Sequence, residues 1–330
     1  MLKISDFDYN LPKELIAQYP LRERDAARLM VVRRDTGLIE HAAFKDIGAY
    51  FNKGDLIVLN DTKVLASRLI GKRKTGGKVE VLLTRNKSGA VFNALMKPGR
   101  LKIGEKIIFN NGSVLGEITS KDEIVFNLSD PEKIYSLGRM PLPPYIKREP
   151  EELDNEYYQT VYADREGAIA SPTAGLHFTK ELMRQLESGG IKLARITLHV
   201  GLGTFKPVKA EDVTRHKMEQ EYFKVPENAQ GLIKEALLTK KRICAVGTTS
   251  LRALEAYASG VKEGYTELFI YPGYKFKTVD SLLTNFHLPR TTLFMLVCAF
   301  AREKLIKKAY QEAVDKKYRF YSYGDAMLIL

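Results

Sequence analysis

The chain has 330 residues, of which 45% are hydrophobic and 28% charged, so it is long enough for two domains or one large domain with a buried core. Its formal net charge of +12 favours a polyanionic partner. The two cysteines lie far apart in the sequence, which favours a protein without disulfides. The first residues lack a signal-peptide pattern, and the longest apolar run, residues 293–301, is too short to span a membrane. Together these observations favour a cytoplasmic protein.

The first 67 residues predict a short helix, a hairpin and a buried strand, in that order. Apolar spacing and an early proline favour a helix over residues 11–18. Residues 29–34 and 38–43 are apolar runs joined by a glycine-containing turn, which is typical of a β-hairpin. Residues 55–59 form an apolar run that ends in a polar cluster at 60–63, and α/β proteins tend to bind ligands where a strand ends.

Residues 68–150 differ from the rest of the chain in pattern and charge. They carry 16 Lys and Arg against 8 Asp and Glu, which is a net +8 of the total +12. Short strand-like runs between Gly- and Asn-containing turns predict a small antiparallel barrel or sandwich. The runs are residues 79–83, 90–96, 106–109, 113–118 and 123–128. We interpret the basic stretch 71–78 as a mobile loop able to neutralise phosphates, or equally as a solvated loop without that role. The proline-rich residues 141–145 mark the boundary.

Residues 165–179 have almost no helical or strand periodicity, yet they combine two glycines, one proline, several hydroxyls and one histidine. Such a loop keeps its backbone exposed, and it leads into a predicted helix that begins after Thr179 and ends at Gly189-Gly190. The free N–H groups at the start of a helix can hold an anion or a polar ligand. An ordinary surface loop with a helix cap is the alternative interpretation.

Three later segments also place polar or aromatic side chains beside predicted strands. Residues 191–200 alternate between an apolar face and a face of Arg, Thr and His, which meets either water or a pocket. Residues 242–246 predict a strand that is followed by a tight loop at 247–250 and a helix, an arrangement that presents N–H groups to a nucleotide or carboxylate. Because the loop lacks a Gly-x-Gly-x-x-Gly fingerprint, a capped strand-to-helix turn is the plainer interpretation. The aromatic residues 318–327 either stack on bases or form an edge strand.

Several catalytic classes are excluded by patterns that the sequence lacks. It has no Gly-x-Ser-x-Gly elbow and no Walker loop, and none of its five histidines forms an i, i+4 pair with a carboxylate partner. We therefore expect no metal site and no catalytic triad. The residues point to an α/β enzyme with a basic β appendage, which binds a nucleotide-like molecule and moves protons. RNA is the candidate second partner.

Eight ordered motifs together resemble one known family. The first combines FDY at 7–9 with LP at 11–12 and LIA at 15–17, and the second combines Arg24-Asp25 with Arg28-Leu29. The other six are NDTKV at 60–64, SPTAGLHFT at 171–179, LHVGLGTF at 198–205, VGTTS at 246–250, NFHLP at 285–289 and YGDAM at 323–327. The chain resembles the S-adenosylmethionine:tRNA ribosyltransferase-isomerases of the queuosine pathway. The resemblance runs from end to end, and the basic insert is its least patterned part.

The resemblance implies both a reaction and a fold. The ribosyl unit of S-adenosylmethionine moves onto the 7-aminomethyl-7-deazaguanine (preQ1) base at the tRNA wobble position and is isomerised, giving epoxyqueuosine with release of adenine and methionine. S-adenosylmethionine is then a co-substrate, and no tightly bound cofactor is implied. The implied fold is mixed α/β: a larger catalytic domain with a β-barrel core, residues 1–67 and 151–330, and a smaller β-barrel domain inserted at 68–150. A monomer is expected.

The matched motifs suggest roles for particular residues. Imidazoles suit proton transfer near neutral pH, so the catalytic candidates are His177, His287 and His199, together with Asp61 for a ribose hydroxyl or the amine. Each histidine has an ordinary structural role as its alternative, and Asp61 has an Asx-turn cap. The candidates for binding the co-substrate are Ser171, Thr173, Gly175, Gly247, Thr248, Thr249, Ser250, Asn285, Arg24 and Arg28. The candidates for binding nucleic acid are Lys72, Arg73, Lys74 and Lys78.

Two other functions remain open from the residues. An S-adenosylmethionine-dependent RNA methyltransferase would release S-adenosylhomocysteine, but its usual Gly-rich nucleotide loop is not evident. A non-enzymatic tRNA-binding protein would explain the charge and the aromatic residues, but it would not explain the polar loops at predicted strand ends.

Overall fold

The structure is a computed structural model that describes residues 2–201 and 211–330. The second half of the LHVGLGTF motif, residues 202–205, therefore lies outside the described residues. The strands are β1 (Arg28–Val32), β2 (Ile39–Ala43), β3 (Leu56–Asn60), β4 (Thr62–Val64), β5 (Arg68–Arg73), β6 (Lys78–Ser88), β7 (Val91–Lys97), β8 (Lys106–Phe109), β9 (Val114–Ser120), β10 (Glu123–Phe126), β11 (Arg165–Ala168), β12 (Lys192–Leu198), β13 (Glu221–Lys224), β14 (Ile243–Val246), β15 (Glu263–Thr266), β16 (Ser281–Asn285) and β17 (Ala326–Ile329). The α-helices are α1 (Pro131–Tyr135), α2 (Glu152–Tyr157), α3 (Lys180–Ser188), α4 (Glu227–Leu238), α5 (Gly247–Tyr257), α6 (Thr292–Ala301) and α7 (Glu303–Asp315).

A nine-stranded mixed sheet organises most of the chain, in the order β15-β13-β12-β3-β14-β16-β17-β1-β2. Strands β12, β3, β14 and β16 are mutually parallel, so their carboxyl ends meet at one edge. β17 runs antiparallel to β16 and parallel to β1, so the start of β17 lies at that same edge. This edge therefore collects the polar residues that follow the parallel strands.

The sheet is buried on both faces because its central strands are apolar throughout. In β3, Leu56 and Val58 pack into one core with α4, α5, α6 and α7, while Ile57 and Leu59 pack into the other core with α3. This arrangement explains why the apolar run at 55–59 shows no alternation. It positions β3 as a fully buried strand, as the sequence predicted.

Strands β5 to β10 form a closed six-stranded antiparallel barrel with its own apolar core. Gly71 faces this core, where an added Cβ would lie 2.6 Å from the Ile107 side chain and 2.7 Å from Phe109. The barrel strands all lie within residues 68–150, the range predicted for the inserted unit, although the domain boundaries themselves stay a prediction. The fold class is thus mixed α/β with one large sheet and one closed barrel.

The structure corrects several details of the sequence interpretation. The larger unit was expected to have a barrel at its core, but nine of its described strands form a sheet with β15 and β2 at the two ends, and β4 and β11 pair in a separate two-stranded sheet. The basic stretch 71–78 is not a long mobile loop, because it completes β5, turns tightly and begins β6. The predicted helix at 11–18 is one short 3-10 turn, Lys13–Leu15.

Two further corrections concern the second half of the chain. The expected loop at 247–250 is the first turn of α5, since the helix starts directly at Gly247. The aromatic residues 318–327 neither form an edge strand nor lie open to bases: β17 is an inner strand, and Tyr318, Phe320, Tyr321 and Tyr323 are buried. In the described parts of the chain, no helix is long and apolar enough to cross a membrane.

Candidate functional site

A cleft of about 490 Å³, partly open to solvent, lies where the parallel strands end. We name it the main cleft. Three of the predicted segments contribute to it, at 171–174, 247–249 and 284–287. The lining residues are Tyr145, Ser171, Pro172, Thr173, Ala174, Val200, Gly247, Thr248, Thr249, Thr284, Asn285, His287, Leu293, Tyr321 and Ser322. The topology thus brings together segments that lie more than 100 residues apart in the chain.

The amino end of α5 forms one wall of the main cleft. Gly247 has a φ of +86°, a conformation that favours glycine, and it lets β14 turn directly into the helix. The hydroxyl oxygens of Thr249 and of Ser171 are buried and have no hydrogen-bond partner among the described residues. Buried hydroxyls normally find partners, so the wall is suited to a polar or anionic ligand. Ser250 is fully buried behind this wall and does not line the cleft.

Asn285 connects the main cleft to a second cleft, which we name the side cleft. Thr173 donates its hydroxyl proton to Asn285 Oδ1 at 2.8 Å, and Asn285 Nδ2 lies 3.2 Å from His177 Nε2. Nδ2 also donates to the backbone oxygen of Asp325 at 3.4 Å, which fixes the orientation of the amide. The side cleft is lined by Pro20, Leu21, Arg24, Tyr157, Leu176, His177, Ser322, Tyr323 and Gly324.

His177 is held by protein groups on this network. Burial lowers its pKa to about 4, although the charge of Asp325 and a hydrogen bond to the backbone of Arg24 act in the opposite direction. The ring is therefore neutral at pH 7, and its Nε2 accepts a hydrogen bond from the Asn285 amide. These contacts make His177 better suited to orienting the cleft than to exchanging a proton with a ligand in the main cleft.

His287 lines the main cleft directly and keeps one nitrogen available. Its Nε2 lies 2.8 Å from the hydroxyl of Thr284, while Nδ1 has no hydrogen-bond partner in the described chain. Its backbone N–H donates to the Tyr310 hydroxyl, and its carbonyl accepts from Tyr9. Burial lowers the pKa of the ring to about 3, so His287 is a neutral acceptor at physiological pH. Of the three candidate histidines, its geometry best fits proton transfer.

His199 and Asp61 lie together, but they are not part of either cleft lining. His199 Nδ1 contacts the Thr62 hydroxyl at 2.7 Å, and Asp61 accepts a hydrogen bond from Thr197 at 2.6 Å. Burial raises the pKa of the Asp61 carboxyl, against the effect of the Thr197 hydrogen bond. Both residues have protein partners at the ends of β3 and β12, and the catalytic roles that the motifs suggested for them stay predictions.

The two arginine candidates differ in what they contact. Arg24 lines the side cleft and donates to three backbone oxygens, those of Glu156, Gln159 and Leu176, without a carboxylate partner among the described residues. Arg28 pairs with the buried Asp325 and donates to the backbone oxygens of Lys316 and Lys317, which follow α7. It lines neither cleft. Arg24 therefore lies at the side cleft without a carboxylate among the described residues to offset its charge, whereas Asp325 offsets the charge of Arg28.

The four basic candidates of the barrel lie on the β5–β6 hairpin. Lys72, Lys74 and Lys78 are exposed. Arg73 is instead paired with Glu105 through two of its nitrogens. Of the four candidates, the three lysines thus remain available to a phosphate, and Arg73 supports the barrel.

Sequence reasoning missed the aromatic part of the main cleft. Tyr321 and Ser322 lie in the stretch that was interpreted only by its aromatic content, and Tyr145 lies in the proline-rich boundary. The Tyr145 hydroxyl bonds to Ser322, although the two residues are 177 positions apart. A pairing of this length has no local signal in the sequence.

Gly175, a predicted binding residue, supports the cleft by packing. An added Cβ would lie 2.0 Å from the hydroxyl of Tyr162 and 2.9 Å from Thr160. We expect Gly175→Ala to lower the free energy of unfolding by about 2–3 kcal/mol, because both neighbours are buried and would have to move. Urea denaturation measures this change. The matched control is Gly231→Ala in the exposed middle of α4, where no atom is near and about 0.5–1 kcal/mol should be gained. Equal effects at the two sites would contradict the packing role.

The buried histidines make stability depend on pH. The pKa of His177 is about 4 in the folded chain, below the 6.5 of an exposed histidine, so the unfolded chain binds the proton first as pH falls. Stability is complete above pH 6.5 and decreases toward pH 4, with a loss of about 2 kcal/mol from this residue between pH 7 and pH 5. Urea denaturation at both pH values should show a smaller loss for His177→Asn than for the unchanged chain. An identical loss would show that His177 does not titrate in this way.

Comparison with known proteins agrees with the motifs. Residues 4–329 match the profile of the family described as "Queuosine biosynthesis protein". The chain belongs to this queuosine biosynthesis family, which confirms the family that the motifs predicted.

Individual relatives are similar over the whole chain. The chain is 53% identical to S-adenosylmethionine:tRNA ribosyltransferase-isomerase of Sulfurihydrogenibium sp. (strain YO3AOP1), with 100% of both chains covered. It is 50% identical to the protein of the same name from Caldanaerobacter subterraneus subsp. tengcongensis, again with 100% of both chains covered. The crystal structure of S-adenosylmethionine tRNA ribosyltransferase from Thermotoga maritima has 36% identity and a TM-score of 0.58, covering 98% of this chain and 100% of that one.

Proposed function

We propose that this chain is an enzyme that transfers the ribosyl moiety of S-adenosylmethionine to the preQ1 base of tRNA and isomerises it, giving epoxyqueuosine with release of adenine and methionine. The names of relatives that match it over their full length support this activity. The observation that carries the proposal is the meeting of segments 171–174, 247–249 and 284–287 in one cleft, since these are the segments that bear its hydroxyls, amide and imidazole.

The main cleft has groups for each polar part of S-adenosylmethionine. The carboxylate of its methionine moiety would bind at the start of α5, where the backbone N–H groups and the hydroxyls of Thr248 and Thr249 are available. Ser171 and Thr173 would bind the ribose or the adenine, because the Ser171 hydroxyl lacks a protein partner. Asn285 would keep Thr173 in place through their hydrogen bond.

The chemistry requires several proton transfers. The positive sulfonium makes the neighbouring C5′ hydrogens acidic, the attacking amine must lose a proton, and adenine must gain one as it leaves. We assign the first of these transfers to His287, whose Nδ1 is available and whose ring is neutral. His177 acts through Asn285 as a positioning residue. Nothing in this assignment requires a metal ion.

The second substrate must reach the ribosyl group from a neighbouring position. The side cleft adjoins the main cleft at Ser322 and contains the Arg24 guanidinium, so it is the proposed entry for the tRNA base. The inserted unit, residues 68–150, would contact the tRNA backbone through its surplus of positive charge. Lys72, Lys74 and Lys78 are exposed cations around the turn of its β5–β6 hairpin.

Double labelling tests the activity. The protein is incubated with preQ1-containing tRNA and S-adenosylmethionine labelled separately in the ribose and in the methyl group. Ribose label in the RNA together with free adenine and methionine supports the proposal. Methyl label in the RNA together with S-adenosylhomocysteine would identify a methyltransferase, and tRNA binding without any label would identify a binding protein. Transcript tRNA that contains guanine at the wobble position is the control and should stay unlabelled.

A further inference from the structure

A row of three aromatic rings lies at one end of the large sheet, beside the main cleft. His199 and Tyr222 stack with ring centroids 5.4 Å apart and planes at 22°, and Tyr222 meets Tyr265 at 5.8 Å and 70°. The two tyrosines are cross-strand partners on β13 and β15, so the sheet fixes their spacing. The row begins one residue before Val200, which lines the main cleft.

Tyr265 is the exposed end of this row. It is 55% exposed, and among the described tyrosines and phenylalanines only Tyr19 is comparably open, at 49%. The flat face of an exposed ring suits an unpaired base, because every base can stack on an aromatic side chain. Single exposed rings are nevertheless common on protein surfaces, so the charge next to the ring decides which partner it fits.

An arginine of the barrel lies beside Tyr265. The Arg85 guanidinium is 5.9 Å from the ring centre and donates to the hydroxyl oxygen at 3.5 Å, although the two residues are 180 positions apart. Arg85 is exposed and forms no ion pair with a carboxylate among the residues that the structure describes. Glu263, on the same strand as Tyr265, is held by Lys224 and by the Tyr222 hydroxyl. A ring and an uncompensated cation side by side fit the base and the phosphate of a nucleotide.

Arg85 also lines a separate cleft of about 770 Å³ between the barrel and the large sheet. Ser67 lines it too, and its buried hydroxyl has no hydrogen-bond partner in the described part of the chain. This cleft lies close to the main cleft, because its lining residue Ile169 donates its backbone N–H to the carbonyl of Val200. RNA that contacts both the basic barrel and the main cleft would therefore pass Arg85 and Tyr265.

We propose that Tyr265 and Arg85 bind an unpaired nucleotide of the tRNA anticodon loop, with its base stacked on the Tyr265 ring and a phosphate on the Arg85 guanidinium. This inference rests on the proposed function, which makes tRNA the second substrate. Charge complementarity favours RNA as the occupant, since residues 68–150 contribute Arg85 and carry a net +8 of the total +12. Neither residue lines the main cleft or the side cleft, so their role is affinity for the RNA strand.

Fluorescence anisotropy with labelled preQ1-containing tRNA at several salt concentrations tests the proposal. Tyr265→Ala should raise the dissociation constant about tenfold at every salt concentration, because stacking is lost and no charge changes. Tyr265→Phe keeps the ring and should stay within about twofold of the unchanged protein. Arg85→Gln should weaken binding and reduce the slope of log K against log salt by about 0.7, the value for one phosphate contact on a single strand.

Tyr50→Ala is the matched control. Tyr50 is a partly exposed tyrosine whose backbone oxygen accepts from Arg242, so it lies where β3 and β14 begin, at the opposite edge of the sheet from the main cleft. Its substitution should leave the dissociation constant for tRNA within about twofold of the unchanged value, with an unchanged salt slope.

The possible outcomes separate this inference from the function beneath it. An unchanged protein that does not bind the tRNA overturns both. Binding that Tyr265→Ala weakens no more than Tyr50→Ala, or that Tyr265→Phe weakens as much as Tyr265→Ala, overturns the inference alone. Binding that depends on Tyr265, in a protein that transfers no ribose label, overturns the function and supports the RNA site. If Tyr265→Ala fails to fold by circular dichroism, the salt slope of Arg85→Gln decides, and an unchanged slope overturns the inference.

Discussion

Replacing His287 by glutamine is expected to lower the turnover number for adenine release by at least about a hundredfold, with the fold preserved. Glutamine keeps a polar group of similar reach, but it does not accept and return a proton as an imidazole does. The expectation follows from the position of the ring, which lines the main cleft with Nδ1 available and Nε2 held by Thr284. Adenine release at saturating S-adenosylmethionine and preQ1-containing tRNA measures it.

The matched control is His216→Gln. His216 is also a partly buried histidine, but it packs its edge against Phe269 and lines neither cleft. Its substitution should leave turnover within about threefold of the unchanged protein. If His287→Gln retains full turnover, or if both substitutions reduce it equally, His287 is not the proton-transfer residue.

Replacing Arg252 by methionine is expected to lower the free energy of unfolding by about 3–5 kcal/mol. Arg252 forms a buried ion pair with Glu221, in which both side chains are less than 5% exposed. Removing the arginine takes away the cation that faces the Glu221 carboxylate in this buried pair. Glu221 also accepts a hydrogen bond from the backbone N–H of Gly201 at 2.9 Å, next to Val200 in the cleft lining.

The double variant Arg252→Met, Glu221→Met separates the cost of breaking the ion pair from the loss of packing. Since the second substitution removes the carboxylate as well, most of the lost stability should return. Urea denaturation of the two single variants and the double variant gives the coupling free energy. A double variant that is as unstable as the sum of the two singles would contradict the role assigned to the pair.

The elements with a strong local pattern could be predicted from the sequence. The hairpin of β1 and β2 formed around its glycine turn, and Thr179 caps α3 as expected. Five barrel strands were found from alternation and turns. The sixth strand, β5, was missed because Gly71 and the basic residues at its end are typical of a loop. The barrel interior requires a small residue at position 71, since an added Cβ would meet Ile107 and Phe109.

The candidate site was predictable in its segments but not in its contacts. The motifs that contain Thr173, Thr248 and Asn285 do meet in one cleft. Thr248 and Asn285 lie at the carboxyl ends of the neighbouring strands β14 and β16, whereas Thr173 follows β11, which pairs with β4 outside the large sheet, and is hydrogen-bonded to Asn285. The motifs did not distinguish His287, which keeps a nitrogen available, from His177, which is held by Asn285. That difference depends on tertiary hydrogen bonds, which the residue types alone do not specify.

The parts of the fold that disagreed with expectation share one physical cause. The helix expected at 11–18 shortens to one turn because the chain pairs instead with the backbone of Phe320, far away in the sequence. In the same way, β17 lies inside the sheet because β1 and β16 pair with its two sides. Non-local pairing overrides a local preference in both cases.

Hydrogen–deuterium exchange with and without S-adenosylmethionine tests most directly whether the main cleft is the binding site. We expect slower exchange at 171–175, 247–250 and 284–287 together, because one ligand would contact all three segments. The β5–β6 hairpin of the barrel should be unaffected by this ligand alone. Protection confined to the barrel, or to only one of the three segments, would contradict a shared site for the co-substrate.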